Sequence, residues 1–362
     1  MDTNISPTLS LFLAILVSMM IMLAFAWISL KLTTHYKLLD VPGAKPHKQH
    51  KLPTPLAGGI ALMATLFLSE LLLGLITNWV VRASLFAALP VFIFGLWDDI
   101  KDIHVSTKLI GQILSALILI RLGIYIRVFE SPDFFLQVDQ NIKVLMDWII
   151  TILWIVGITN AFNFVDSKDG LAVGLGGITA AFFVLMTLDS NQILLSQHSA
   201  VILGASIGLY FFNSPPAKLF LGDSGSQTLG FLLAALAITY NPQGAYQLST
   251  WFVPILLLGV PIFDTTLVVI SRTRRNQPVY KAALDHTYHR LLFLGVGSHR
   301  SVLIMHFTAL MLGCVAFIIL HQTPIIANTV FFITMLLGTV TLVLLDSRKY
   351  WDRSQHAGSN TE

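Results

Sequence analysis

Charge is scarce in this chain. Only 11% of its 362 residues are Asp, Glu, Lys or Arg, against about a quarter in soluble domains, which excludes an ordinary water-soluble fold. Cysteine is scarcer still. Cys314 stands alone inside an apolar run, so no intrachain disulfide can form and packing is its expected role. Internal repeats and low-complexity tracts are absent. The paired halves from which many transporters are built are therefore missing. The net charge of +3 carries no argument for nucleic acid as a partner, and none is expected.

What is abundant is apolar sequence, at 55% of residues. It falls into runs of roughly 17–25 residues, the length a helix needs to cross about 30 Å of hydrocarbon. Eleven segments are predicted, at about 9–30, 56–77, 83–97, 108–122, 146–162, 170–187, 197–213, 226–240, 249–271, 301–321 and 326–345. The fold class expected is an all-α polytopic membrane protein, a single integral-membrane domain over 1–345 with a polar tail at 346–362. The first run is too long for a signal peptide, no basic residue precedes it, and it lacks a small-residue cleavage site, so it is expected to be retained. Between Gly123 and Asp147, short alternating runs around Ser131-Pro132-Asp133 predict an external hairpin or an interfacial segment.

The bases then orient the chain. With the amino terminus outside, 18 of the 22 Lys and Arg residues fall on inner loops and the tail. Only Arg82, Arg121, Arg127 and Lys143 are left outside, a bias that sets orientation. Eleven spans put the carboxyl tail in the cytoplasm.

Five polar clusters emerge on that inner side. Asp98 and Asp99 close the third span, with Lys101 and Asp102 behind them. A helix carboxyl end already carries about half a negative charge, so two acids there call for a metal, a lysine or a shared proton. Hard oxygen ligands favour magnesium. Asn160, Asn163, Asp166 and Asp169 recur every three residues in NAFNFVDSKDGL. If the helix persists they share one face, where amides and carboxylates can hold a ribose, a base edge or a metal. Capping of a short loop is the plainer alternative.

Asp223 lies in KLFLGDSGSQTLG, where Ser224 and Ser226 can cap the eighth span and its free N–H groups can take a phosphate. Phe220 is either a stacking surface or a lipid anchor. The largest inner loop carries His286 and His289, flanked by Asp285 and Arg290, which suit a diphosphate. The bases Arg272, Arg274 and Arg275 fit attraction to anionic lipid. The first inner loop adds Lys45, Lys48, His50 and Lys51. Asp264 sits roughly 10 Å inside the ninth span, a depth at which an acid is either functional or paired with a base.

In order, HKLPTPLAGG, DDIKD, NAFNFVDSKDGL, FLGDSGSQTLG, PIFD and the histidine loop match one family. From about Lys37 to Arg300 the chain resembles the polyprenyl-phosphate N-acetylhexosamine-1-phosphate transferases of glycosyltransferase family 4. These include the phospho-MurNAc-pentapeptide translocase and the WecA-like GlcNAc-1-phosphate transferases. The resemblance implies an enzyme of the bacterial inner membrane that starts a cell-envelope glycan such as O-antigen. Its donor would be a UDP-sugar, its acceptor undecaprenyl or another polyprenyl phosphate, and a homodimer is compatible with it.

The resemblance also assigns roles. Asp98, Asp99 and Asp223 would be catalytic, with Asp99 and Asp223 holding Mg²⁺ (Mn²⁺ as an alternative). Asp98 would orient or deprotonate the lipid phosphate. Asn160, Asn163, Asp166 and Asp169 would face the nucleotide and diphosphate, with Phe220 against uracil. Lys51, His286, His289 and Arg290 would support the phosphates or the sugar, with Asp264, Lys48, His50 and Lys101 as further candidates. Two departures bear on the sugar: DSKDGL replaces DGLDGL, and HTYH replaces the usual paired histidines, with Tyr288 in a histidine position. GlcNAc-1-phosphate is the transfer expected, with phospho-MurNAc-pentapeptide or a deoxy-HexNAc phosphate as alternatives. A transporter or lipid flippase is the alternative of another class.

Overall fold

The computed structural model describes residues 6–36, 39–40, 54–131, 138–242, 251–279 and 283–346. The chain forms two compact units, Met1–Pro42 with His50–Gln243, and Gly43–Gln49 with Gly244–Glu362. Both are helical.

The first unit contains α1 (Pro7–Tyr36), α2 (Gly58–Leu72), α3 (Trp79–Lys101), α4 (Val105–Arg121), α5 (Gln140–Val165), α6 (Leu171–Asp189), α7 (Ile193–Asn213) and α8 (Gly222–Thr239). The only ladder among the described residues pairs β1 (Leu39–Asp40) antiparallel to β2 (Thr54–Pro55). The second unit contains α9 (Val253–Leu257), α10 (Gly259–Arg274), α11 (Thr287–Phe293), α12 (Ser298–Ile319) and α13 (Pro324–Leu345). Among the described residues, seven helices, namely α1, α3, α5, α6, α7, α12 and α13, are long and apolar enough to cross a membrane. This is a multi-pass membrane protein.

Each of the eleven predicted segments meets a helix, but the ninth is not continuous. It breaks between Leu257 and Gly259 into α9 and α10.

Local chemistry sets the helix ends. The Asn78 side chain accepts from the amides of Val80 and Val81 at 2.9 and 3.2 Å and so starts α3, the usual work of an N-cap amide. Pro90 lies inside that helix, and the next amide, Val91, donates to Ser115 Oγ on α4 at 3.2 Å. Buried hydroxyls return to their own helices. Ser18, Ser199 and Ser206 donate to the carbonyls of Ala14, Leu195 and Ile202 at 2.8 Å each, as an apolar surrounding demands. Glu70 on α2 is fully buried and lies 2.5 Å from His198 Nδ1 on α7. It is a paired intramembrane acid.

The hairpin or interfacial segment expected between Gly123 and Asp147 has its centre at 132–137, outside the described residues, and the described stretch 124–131 forms no strand. The amides of Val128, Phe129 and Glu130 all donate to the buried Asp147 carboxylate at 2.9–3.1 Å, and that of Ile126 donates to Thr151 Oγ1 at 2.9 Å. One carboxylate does what a strand partner would have done.

Glycine lets α7 approach α1. A Cβ on Gly204 would fall 2.2 Å from the Ile15 carbonyl oxygen, and one on Gly208 would fall 2.9 Å from that of Met19. This small-xxx-small pair brings two backbones together without apolar driving force from lipid. Gly204→Val is expected to lower stability in detergent by about 2–3 kcal/mol. Gly157→Ala, whose Cβ would meet nothing within 4 Å, should leave thermal melting unchanged. Equal melting of both variants would refute the close approach.

Candidate active site

The polar end of the first unit is assembled around the start of α8. The chain enters that helix under firm hold. The Lys218 and Leu219 amides both donate to the Phe212 carbonyl, and the Asn213 side chain donates to the Leu219 carbonyl while accepting from the Gly170 amide. The Phe220 amide donates to Pro55 and its carbonyl accepts from Gly58. The strap leaves the Phe220 ring half-buried. Gly222 then takes a positive φ of 72°, a conformation cheap only for glycine, and Asp223 follows in the first turn.

The carboxyl end of α3 meets this start. Asp98 accepts from the Ile103 amide at 2.8 Å and from Lys108 Nζ at 2.6 Å. The same ammonium donates to Asp223 at 2.6 Å. Asp99 faces the other way, accepting from the amides of Asp223 and Ser224 at 2.7 and 3.1 Å and from Ser224 Oγ at 2.6 Å. The two acids at a negative helix end are thus compensated separately, one by a lysine and one by a helix amino end. The predicted serine cap and open phosphate site at α8 are corrected accordingly. The cap comes from α3, and Ser226 bonds instead to the Gly222 carbonyl and accepts from Asn163. Lys101 is exposed, and Asp102, at φ 51°, ends α3.

Behind Asp223 runs a chain of amides. Gln227 Nε2 donates to Asp223 at 3.1 Å, and Gln112 Nε2 donates to Gln227 Oε1 at 2.9 Å. Asn160 Nδ2 donates to Gln112 Oε1 at 2.6 Å. The carboxylate, which can only accept, sets the direction of every amide in the row. Asn160 therefore serves this buried ladder, while Asp166 caps the end of α5. Burial first, then the charges of Asp223, Asp99 and Asp169, hold the Asp166 carboxyl well above the usual carboxylate range. Asp169 accepts from the Ala217 amide at 3.1 Å.

The predicted set of Asp98, Asp99, Asn160, Asn163, Asp166, Asp169 and Asp223 thus lies within one unit, interleaved with side chains that sequence reasoning did not select. These are Lys108, Gln112 and Gln227. A signal existed for all three. Lys108 and Gln112 are four apart on α4, as are Asp223 and Gln227 on α8, which places each pair on one helical face. Lys48, His50 and Lys51 lie outside the described residues.

The second unit carries the histidine loop. His286 Nδ1 is 2.8 Å from Asp264 Oδ2, and Asp264 Oδ1 accepts from the Thr287 amide at 2.6 Å. The Tyr288 hydroxyl is bonded to Ser298 at 2.8 Å and its ring is buried. The His289 ring is 5.8 Å from that of His286. Arg290, expected at the substrate, is fully buried and bonds to Ser271 and to the carbonyls of Asp285 and Leu345. The lipid-attraction reading also fails at Arg272, which is buried and forks onto Asp285 at 3.0 and 2.7 Å.

Burial pushes the Asp285 carboxyl up, but hydrogen bonds and charge from Arg272, with Arg275 beside it, pull it down to about 2. A depressed carboxylate stabilises the fold above its unfolded value of about 4 and loses that contribution as pH falls toward its folded value. Acidification from about pH 5 to 2 is expected to remove about 2 kcal/mol of stability from this unit. Asp285→Asn should flatten that slope in denaturant titrations, and an unchanged acid slope would remove Asp285 as its source.

Residues 81–241 match glycosyl transferase family 4. The chain is 30% identical over 326 residues to a Bacillus subtilis protein named "Probable undecaprenyl-phosphate N-acetylglucosaminyl 1-phosphate transferase", covering 89% of this chain and 88% of that one. It is 34% identical over 301 residues to the decaprenyl-phosphate N-acetylglucosaminephosphotransferase of Mycobacterium tuberculosis, covering 74% and 72%. It is also 30% identical over 267 residues to the phospho-N-acetylmuramoyl-pentapeptide-transferase of Halalkalibacterium halodurans, covering 69% and 78%.

Proposed function

The chain belongs to glycosyl transferase family 4, the polyprenyl-phosphate N-acetylhexosamine-1-phosphate transferases, and we propose that it moves GlcNAc 1-phosphate from UDP-GlcNAc to undecaprenyl phosphate at the cytoplasmic face of a bacterial inner membrane. The observation that carries the reading into this chain is the convergence of Asp98 and Asp223 on Lys108 at 2.6 Å each. Two carboxylates drawn onto one cation form an acidic centre at the end of a bundle, where a lipid headgroup and a soluble nucleotide can both arrive.

Among the described residues, no three His, Cys, Asp or Glu side chains stand ready as a complete metal site. That suits Mg²⁺, which usually takes one or two carboxylates from the protein and the rest of its shell from water and substrate phosphates. The donor atoms at this centre are oxygens; of the expected pair Asp99 and Asp223, Asp223 would hold the ion, and Asp98 would replace Asp99, whose two oxygens are bonded to the start of α8. When bound, Mg²⁺ supplies charge stabilisation to the diphosphate and its leaving group.

In the transfer, an oxygen of the lipid phosphate bonds to the sugar-linked phosphorus, the bond from that phosphorus to the oxygen bridging toward uridine breaks, and UMP leaves with that oxygen. Asp98 orients the incoming lipid phosphate. Lys108 neutralises phosphate charge once the carboxylates it joins are engaged elsewhere. Asp223 is held on line by Gln227. Asn163, Asp166 and Asp169 line the nucleotide side.

Incubating purified protein with Mg²⁺, undecaprenyl phosphate and UDP-[³H]GlcNAc should yield labelled lipid and equimolar UMP, and EDTA should stop both. Asp223→Asn should lower turnover by about a hundredfold or more while the protein remains in the membrane. Labelled lipid from UDP-MurNAc-pentapeptide but not from UDP-GlcNAc would overturn the donor, and no UMP from any UDP-HexNAc would overturn the reaction.

A further inference from the structure

We propose that Asp99 is a positioning residue that caps α8 from another helix and thereby sets the place of Asp223, and that it does not ligate the metal. The inference rests on the transfer reading only in taking Asp223 as a working residue.

Both Asp99 oxygens are committed. Oδ1 accepts from the Asp223 amide at 2.7 Å. Oδ2 accepts from the Ser224 amide at 3.1 Å and from the Ser224 hydroxyl at 2.6 Å. The first amides of any helix lack partners within it, and the local N-cap position of α8, Leu221, offers no side-chain acceptor. Asp99 supplies from α3 what the local sequence omits.

The backbone around the cap leaves the carboxylate little freedom to turn elsewhere. A Cβ on Gly222 would lie 2.8 Å from Asp99 Oδ2, so this left-handed residue must lack one. On α3, Gly95 stands one turn before Asp99, and a Cβ there would fall 2.7 Å from Ser224 Cα. On α2, a Cβ on Gly59 would fall 2.4 Å from the Gly225 amide nitrogen. The first turn of α8 therefore sits in a slot whose walls are backbone.

The donors agree. Two amides and one hydroxyl, all from the first turn of α8, occupy both Asp99 oxygens where they stand. Asp223, one residue into the capped turn, has its own side chain free to meet Lys108 and Gln227. Asp98 and Asp99 are adjacent in sequence and divide the work, one toward the cation and one toward the helix that carries the second ligand.

The test is hydrogen–deuterium exchange on the full-length protein in nanodiscs, combined with Mg²⁺ titration of turnover. Asp99→Asn keeps the shape of the side chain but replaces one acceptor with an amide. The peptide over Gly222–Gln227 should then exchange about tenfold faster, equally in EDTA and in Mg²⁺. Gly222→Ala, which leaves Asp99 in place but crowds its carboxylate, should reproduce that change. Turnover of Asp99→Asn should fall while its half-saturating Mg²⁺ concentration stays within about threefold of wild type.

Unchanged exchange in EDTA, or a rise of about tenfold or more in half-saturating Mg²⁺, would overturn the proposal in favour of a metal ligand. The exchange measurement needs no substrate. An error in the donor or in the reaction would therefore leave this result standing by itself.

Discussion

Two carboxylates at the carboxyl end of a helix are electrostatically misplaced, and Asp98 with Asp99 puts them at the end of α3. The arrangement is tolerable because α8 begins there. Its free amides point at Asp99, and Lys108 from α4 reaches Asp98. Three helix ends are thereby tied together by charge, and glycines at 59, 95 and 222 permit the backbones to come close enough. The geometry of the proposed active site is a consequence of that closure, because Asp223 occupies the first turn of the helix being held.

The same device recurs in both units. Asp147 gathers the amides of a loop that leaves α4. Asp264 caps α11 and holds His286. Asp285 and Asp346, in loops at helix ends, collect Arg272, Arg275, Arg274 and Arg290. Where water is scarce, each amide that leaves a helix needs a partner, and a buried carboxylate can serve several at once. Few acids are present, and most of those described are occupied with structure. A cluster of acids at a membrane protein's helix ends is therefore not by itself a count of metal ligands. The partners of each oxygen decide.

The histidine loop illustrates the same economy. Arg290 was a natural candidate for a phosphate partner, yet its guanidinium is enclosed by Ser271, Asp346 and two carbonyls. Tyr288, the residue that departs from the family's histidine pattern, is turned into the packing toward Ser298. The departure is thus accommodated within the second unit as an ordinary buried tyrosine with its hydroxyl satisfied.

What was legible in the sequence was whatever depends on local periodicity or on composition. Each of the eleven apolar runs met a helix, and seven described helices are long and apolar enough to cross a membrane, because crossing hydrocarbon requires length and hydrophobicity and little else. The three-residue spacing put Asn160, Asn163, Asp166 and Asp169 on one face only if the helix persisted, and α5 carries the first two but ends at Val165, with Asp166 as its cap. Ordered motifs identified the family. The break at Leu258 and the loop gathered on Asp147 were not legible, since both depend on partners distant in the chain. The division of labour within Asp98–Asp99 was hidden for the same reason. Two identical neighbouring side chains differ only in what other helices bring to them, and hydrogen-bond direction, helix-end charge and glycine-permitted contact exist only once α3, α4 and α8 have packed.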